Sequence, residues 1–297
     1  MRRVLVTGAD GQLGHALASM LYSLPKEFFP VLTDHASMDI TDVKKVNDIC
    51  EQTDPDIIVN CAAYTAVDMA EVEAHQAFAV NEKGAANVAM AAFRMKIPML
   101  HFSTDYVFDG SNNIPYTEED SAAPLSVYGH SKLAGEFAVM ATCPWAVIIR
   151  TGWLYSPFRS NFFTTISRIA RERGKLEIIC DQVGTPTYAK DLASAAVHVF
   201  RSMDGLTCDE MYKYKGVYHY SNEGVCSWYD FACAIVDLAG ITCVVDPIET
   251  KDYPQTAQRP HFSVMNKSKF KNCFHTKISH WQRSLAACME SSGISSQ

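Results

Sequence analysis

The chain has 297 residues, 48% hydrophobic and 20% charged, which is the composition of a globular protein able to bury one large core or two unequal ones. A net charge of −7 without any Lys/Arg run excludes the electrostatic footprint of a nucleic-acid or anionic-membrane binder. Ten cysteines without a C-x-x-C pair argue against a disulfide framework and a zinc site, and no apolar stretch reaches the ~20 residues of a membrane span.

From the N-terminus, MRRVLVTGADG carries too short an apolar run for a secretory signal, so the thiols are expected reduced in a cytoplasm, packing mostly as small hydrophobes. VLVTG (4–8) reads as a strand entering a glycine turn, and HALASMLYSL (15–24) as the helix after it. PVLTD (30–34) and DIIVNCAA (56–63) are the second and third strands. AEVEAHQAFAVNEKGAANVAMAAFRM (70–95) predicts one long crossover helix. IPMLHFS (97–103) and AVIIRT (146–151) are the fourth and fifth strands. Strands separated by helices imply βαβ units and a parallel sheet.

After about residue 153 the alternation loosens, with helices at 162–173, 192–203 and 227–240 and a polar tail, SSGISSQ, expected to fray. The fold class is therefore α/β: a Rossmann-type, doubly wound parallel sheet over 1–153, to which roughly 176–225 returns, and a smaller mixed lobe over 154–297.

Gly8-Ala9-Asp10-Gly11-Gln12-Leu13-Gly14 stands between a strand and a helix. The first glycine permits the tight turn, the second lets backbone N–H groups approach a pyrophosphate, and the third lets helix and strand pack closely. This pattern, in this place, predicts a dinucleotide site, NADPH or NADH. About twenty residues on, Asp34 either accepts from the ribose hydroxyls of an NAD-type cofactor, repelling a 2′-phosphate, or caps a turn. Asp39 and Ile40 are placed to flank an adenine.

Tyr128-Gly-His-Ser-Lys132 opens a helix, so phenol and ammonium share one face. A lysine near a phenol favours phenolate and lowers its pKa, which suits acid/base work on a carbonyl–alcohol pair. Thr104, at the end of the fourth strand, offers a hydroxyl to the same substrate oxygen. Tyr22 and Lys26 have the same spacing, but Pro25 breaks their helix. Ten histidines show no ligand spacing, and no metal is expected.

With these motifs the chain resembles the extended short-chain dehydrogenases/reductases, and more narrowly the dTDP-4-dehydrorhamnose reductases. The resemblance runs through VTGADGQLG (6–14), PDIIVNCAAYTAVDMAE (55–71), STDYVFDG (103–110), PLSVYGHSKLAGE (124–136), RTGWLY (150–155), DQVGTPT (181–187) and YPQTAQRP (253–260). It implies reduction of the C4 ketone of a dTDP-sugar, with Thr104, Tyr128 and Lys132 catalytic. It also implies a cofactor held by Gly8, Gly11, Gln12, Leu13 and Gly14 and by Ala62, Ala63, Tyr64 and Thr65, with Tyr128 and Lys132 reaching its ribose side. Asn81 either bridges backbone near that site or satisfies its own helix. Asp105, Tyr106 and Trp153 would meet the sugar, and Arg259 the nucleotide diphosphate. Related sugar-nucleotide dehydratases carry Glu after Thr-Asp; here Tyr106 follows, so elimination loses one carboxylate, whereas carbonyl reduction needs only Tyr128, Lys132 and Thr104.

Some members of that family form a metal-bridged dimer; the matching positions here, Ala16 and Lys190, offer no acidic ligand, so a monomer or weak homodimer is expected. Two other readings stay open. One is a non-catalytic nucleotide-binding subunit like the methionine adenosyltransferase β subunits, which has no need for RTGWLY or DQVGTPT. The other is a reductase for another sugar nucleotide.

Overall fold

A computed structural model describes residues 1–293. In chain order its elements are β1 (Arg2–Thr7), α1 (Gln12–Tyr22), β2 (Phe28–Leu32), α2 (Val43–Thr53), β3 (Ile57–Asn60), α3 (Val67–Ala70), α4 (Ala74–Phe78), α5 (Ala85–Met95), β4 (Met99–Thr104), α6 (Val127–Thr142) and β5 (Val147–Thr151). There follow β6 (Leu154–Tyr155), α7 (Phe162–Arg173), β7 (Lys175–Ile179), β8 (Val183–Gly184), β9 (Thr187–Tyr188), α8 (Ala189–Met203) and α9 (Cys208–Met211). The last are β10 (Gly216–His219), β11 (Cys226–Ser227), α10 (Trp228–Leu238), β12 (Val244–Ile248), α11 (Ser268–Phe274) and α12 (Trp281–Ser292).

Six strands form one parallel sheet in the order β10-β5-β4-β3-β1-β2. All four residues of β3 and all six of β4 are buried, as expected of strands covered by helices on both faces. The strand order reverses between β1 and β3, and in such sheets ligands bind outside the carboxyl ends at that switch point. The sheet's core is continuous with α1, α5 and α8, while a second core gathers Tyr155, Phe163, Phe231 and Trp281 under the C-terminal lobe. That lobe adds three two-stranded pairs: β7 with β12, β8 with β11, and β6 with β9.

The helix expected at 162–173 is α7, closed by an Asn161 capping box and by Gly174 in the left-handed region. Two expectations need correction. The crossover read as one helix over 70–95 is broken into α3, α4, a π-helical stretch at Ala79–Gly84, and α5. Within that stretch the Asn81 side chain bonds outside the helix, and its carbonyl presses on α6, where a Cβ at Gly135 would lie 2.1 Å from Asn81 O. The tail read as fraying from 291 instead contributes Ser291 and Ser292 to α12; its remainder, 294–297, lies outside the described residues. Helix α2 went unnoticed in the sequence, although Asp42 caps it by accepting from Lys44 N and Lys45 N.

Candidate active site

Where β1 ends, Gly8 turns the chain with φ +62°, and a Cβ there would lie 2.7 Å from the backbone of Ala62. Gly14 sits so near the turn that a Cβ would lie 2.3 Å from Gly8 O. The α1 N-terminus, with Gly11 as its cap and no side-chain cap, opens onto a cleft of about 950 Å³. Gly8, Gly11, Gln12, Leu13, Gly14, Asp34, Asp39, Ile40, Ala62, Ala63, Tyr64 and Thr65 all line it. So do Thr104, Asp105, Tyr106, Tyr128, Lys132 and Trp153. Two expected residues do not. Asn81 lies behind the wall, accepting from Tyr64 N (2.9 Å) and donating to Tyr64 O (3.1 Å) and Ser131 Oγ (2.9 Å), so it fixes the Tyr64 loop. Arg259 pairs with Asp68 through both terminal nitrogens (2.6 and 3.1 Å) and bonds the side chain of Tyr106, which lines the cleft.

Asp34 does form the turn it was weighed for: its Oδ1 accepts from Ser37 N (2.8 Å) and Ser37 Oγ (2.7 Å), and the Ser37 bonds hold its carboxyl below the usual range. It also lies on the cleft wall. Asp39 is likewise held by Thr41.

Helix α6 presents Tyr128 and Lys132. Its start is fixed by Ser126, which accepts from Gly129 N, and by Glu71, which accepts from Val127 N (2.8 Å). Lys132 is 2% exposed and donates to Phe102 O (2.7 Å). Burial brings its ammonium down to about 8, against the opposing fields of Glu136 and Cys61. Glu136, one turn on, accepts from Ser103 Oγ and makes a bidentate pair with Arg150 (2.8 and 2.7 Å), tying α6 to β4 and β5.

One electrostatic expectation is corrected. Protein atoms crowd the Tyr128 phenol and burial pushes it up to about 12; the Thr104 hydroxyl opposes this, whereas Lys132, turned to the Phe102 carbonyl, is not among its causes. At neutral pH Tyr128 therefore keeps its proton, which suits a proton donor. Asp105 is 1% exposed, and burial raises its carboxyl to about 6.

On the far wall Trp153, in the left-handed region at φ +49°, stacks on Trp228 with centroids 3.5 Å apart. Gly184 lies beneath it, where a Cβ would approach the indole to 2.6 Å. Sequence reasoning missed Arg159, also on the cleft, whose Nε donates to Asp10 O of the glycine turn (2.9 Å). Its loop, SPFRSN, carries no motif. Ala16 and Lys190 line a second, smaller cleft of about 540 Å³ beside α1.

The model of the family described as RmlD substrate binding domain matches residues 1–293. The chain belongs to that family. A dTDP-4-dehydrorhamnose reductase from Aggregatibacter actinomycetemcomitans is 41% identical over 292 residues, covering 96% of this chain and 97% of the relative. Among solved structures, a dTDP-4-dehydrorhamnose reductase from Clostridium acetobutylicum superposes with a TM-score of 0.89 at 37% identity, covering 97% of this chain and 98% of the other. One from Bacillus anthracis, in complex with NADP, gives a TM-score of 0.90 at 34% identity, with 98% and 99% covered. Among the described residues no helix is long and apolar enough to cross a membrane, and all ten cysteines are free thiols.

Proposed function

We propose that this chain reduces the C4 ketone of dTDP-4-dehydro-L-rhamnose to dTDP-L-rhamnose, using NADPH or NADH. The observation that carries the reading is the gathering of the glycine turn of β1–α1 with Thr104, Tyr128 and Lys132 of β4–α6 into one cleft. A dinucleotide fits that cleft: Gly8 and Gly14 permit the close backbone packing that sets the start of α1 at its wall, and the α1 N–H groups, without a side-chain cap, suit a pyrophosphate. Gly11, Gln12 and Leu13 would hold the pyrophosphate, Asp34, Asp39 and Ile40 the adenosine, Ala62 to Thr65 the nicotinamide side, and Lys132 the ribose. Bound there, the reduced cofactor supplies a hydride to carbon C4 of the sugar.

The chain's own residues do the rest. Tyr128 gives its hydroxyl proton to the ketone oxygen, and Thr104 donates a hydrogen bond to that oxygen as charge builds on it. Buried Lys132, cationic below about pH 8, keeps a positive charge on the ribose side of the cleft. Trp153 and Tyr106 shape the sugar pocket, and Arg259, held by Asp68, orients Tyr106.

By the same reading, residues 1–153 with roughly 176–225 form the cofactor domain, 154–297 mainly the substrate lobe, and the protein works in the cytoplasm as a monomer or weak homodimer. The test is absorbance at the reduced-nicotinamide band, with the C4 ketone and NADPH or NADH. Wild type should oxidise one of them, and Tyr128→Phe should lose roughly 10²–10⁴-fold in rate while still binding cofactor. Tight cofactor binding with no oxidation of any 4-keto sugar nucleotide would move the reading to a regulatory subunit.

A further inference from the structure

Thr104 has one hydroxyl hydrogen, and the reductase reading needs it on the ketone oxygen. In the structure that hydrogen is drawn toward Asp105: Thr104 Oγ1 donates to Asp105 Oδ1 (3.2 Å) while accepting from Tyr106 N (3.2 Å), and the Tyr128 phenol is its other side-chain neighbour. An ionised carboxylate only accepts, so a charged Asp105 competes with the substrate for that hydrogen. A neutral carboxyl reverses the bond. The Thr104 oxygen has two lone pairs, so it can accept from Tyr106 N–H and Asp105 O–H together and release its own hydrogen into the cleft.

The surroundings favour the neutral form. Asp105 lines the cleft, yet its Oδ2 is buried without a hydrogen-bond partner among the described residues. Gly152 packs against the carboxyl, where a Cβ would lie 2.4 Å from Cγ. The groups around it are Tyr106 in its own turn, Tyr128 from α6, and the Ser263 hydroxyl. Both phenols are pushed up by burial and stay neutral. The nearby cations are engaged elsewhere, Arg259 with Asp68 and Lys132 with Phe102 O.

We infer that Asp105 acts in the reduction as a neutral acid that donates to Thr104 and thereby turns the Thr104 hydroxyl toward the substrate's ketone oxygen. This rests on the reductase reading. Asp105 is a positioning residue: it neither gains nor loses a proton in the cycle, and the product's hydroxyl proton still comes from Tyr128. Burial, which raises the Asp105 carboxyl to about 6 against the hydroxyls of Ser263 and Thr104, places its loss of function within reach of a pH profile.

The experiment is kcat/KM against pH, from roughly 5.5 to 9, for wild type and Asp105→Asn, since kcat/KM reports titrations of the free enzyme. Asparagine keeps the volume and can donate from Nδ2 at every pH. Wild type should fall about tenfold per pH unit above about 6, and more steeply above about 8 as Lys132 also titrates. The variant should lack the first fall and keep the second, so the variant-to-wild-type ratio rises about tenfold per unit between the two. A ratio that is flat or falls over that range overturns the inference. Turnover absent in wild type at every pH would count against the reductase reading instead. In that case, or if the variant does not fold, infrared pH-difference spectra of cofactor-loaded wild type with ¹³C-labelled aspartate carboxyls decide. A carboxylic-acid band that appears as pH falls through about 6 supports the inference; a first carboxylic-acid band that appears only well below that pH overturns it.

Discussion

Lys132 shows how one buried side chain sets a working pH range. Burial lowers its pKa to about 8, so the ammonium is present below that value and lost above it. A function that needs the cation must weaken as pH rises through about 8, and kcat/KM should bend there in the wild type. Lys132→Met should abolish that bend along with most of the activity, and an unchanged bend would assign it to another group. At this scale the sequence was informative about identity and poor about state. Tyr128 and Lys132 were legible from their four-residue spacing beside Thr104. The rise of the Tyr128 pKa was not, because it follows from atoms packed around the phenol and from the Phe102 carbonyl that turns Lys132 aside. Nor was the Asp68–Arg259 pair, which joins residues 191 positions apart.

Among the elements, the β1–α1 unit was the most legible, because each glycine answers a local backbone demand. Gly14 states that demand most sharply. A methyl group there would lie 2.3 Å from Gly8 O and 2.6 Å from Ala9 Cα, both backbone atoms that cannot swing away. Gly14→Ala should therefore displace α1 from the turn and weaken NADPH binding by more than tenfold, as read by quenching or enhancement of cofactor fluorescence. Unaltered affinity would show that the turn does not hold the pyrophosphate. The broken crossover was illegible for the opposite reason. Its Ala-rich sequence suits a continuous helix, and the π-helical stretch comes from tertiary demands: Gly84 packed on Ile40, and Asn81 reaching the Tyr64 backbone. Edge strand β10 was similarly hidden, since only its pairing with β5 makes Gly216–His219 part of the sheet.

Across the whole molecule, the sheet supplies one wall of the cleft and the C-terminal lobe supports the other through the Trp153–Trp228 stack. Trp228 belongs to α10 and is absent from the cleft lining, so it touches the cleft through its stack on Trp153. Trp228→Ala should raise KM for the sugar nucleotide several-fold while leaving the affinity for NADPH within about twofold, a split that separates the two binding regions. Equal losses of both affinities would mean that the substitution unsettles the entire fold. The central claim is that a hydride moves from the cofactor to the sugar inside this cleft. Its most direct test is isotopic: incubate the protein with dTDP-4-dehydro-L-rhamnose and NADPH, or NADH, deuterated at the transferring position, and examine the product by mass spectrometry and proton NMR. One deuterium at C4 of dTDP-L-rhamnose is the expected result. A cofactor that binds but is recovered unoxidised, with no deuterium in any sugar nucleotide, would contradict it.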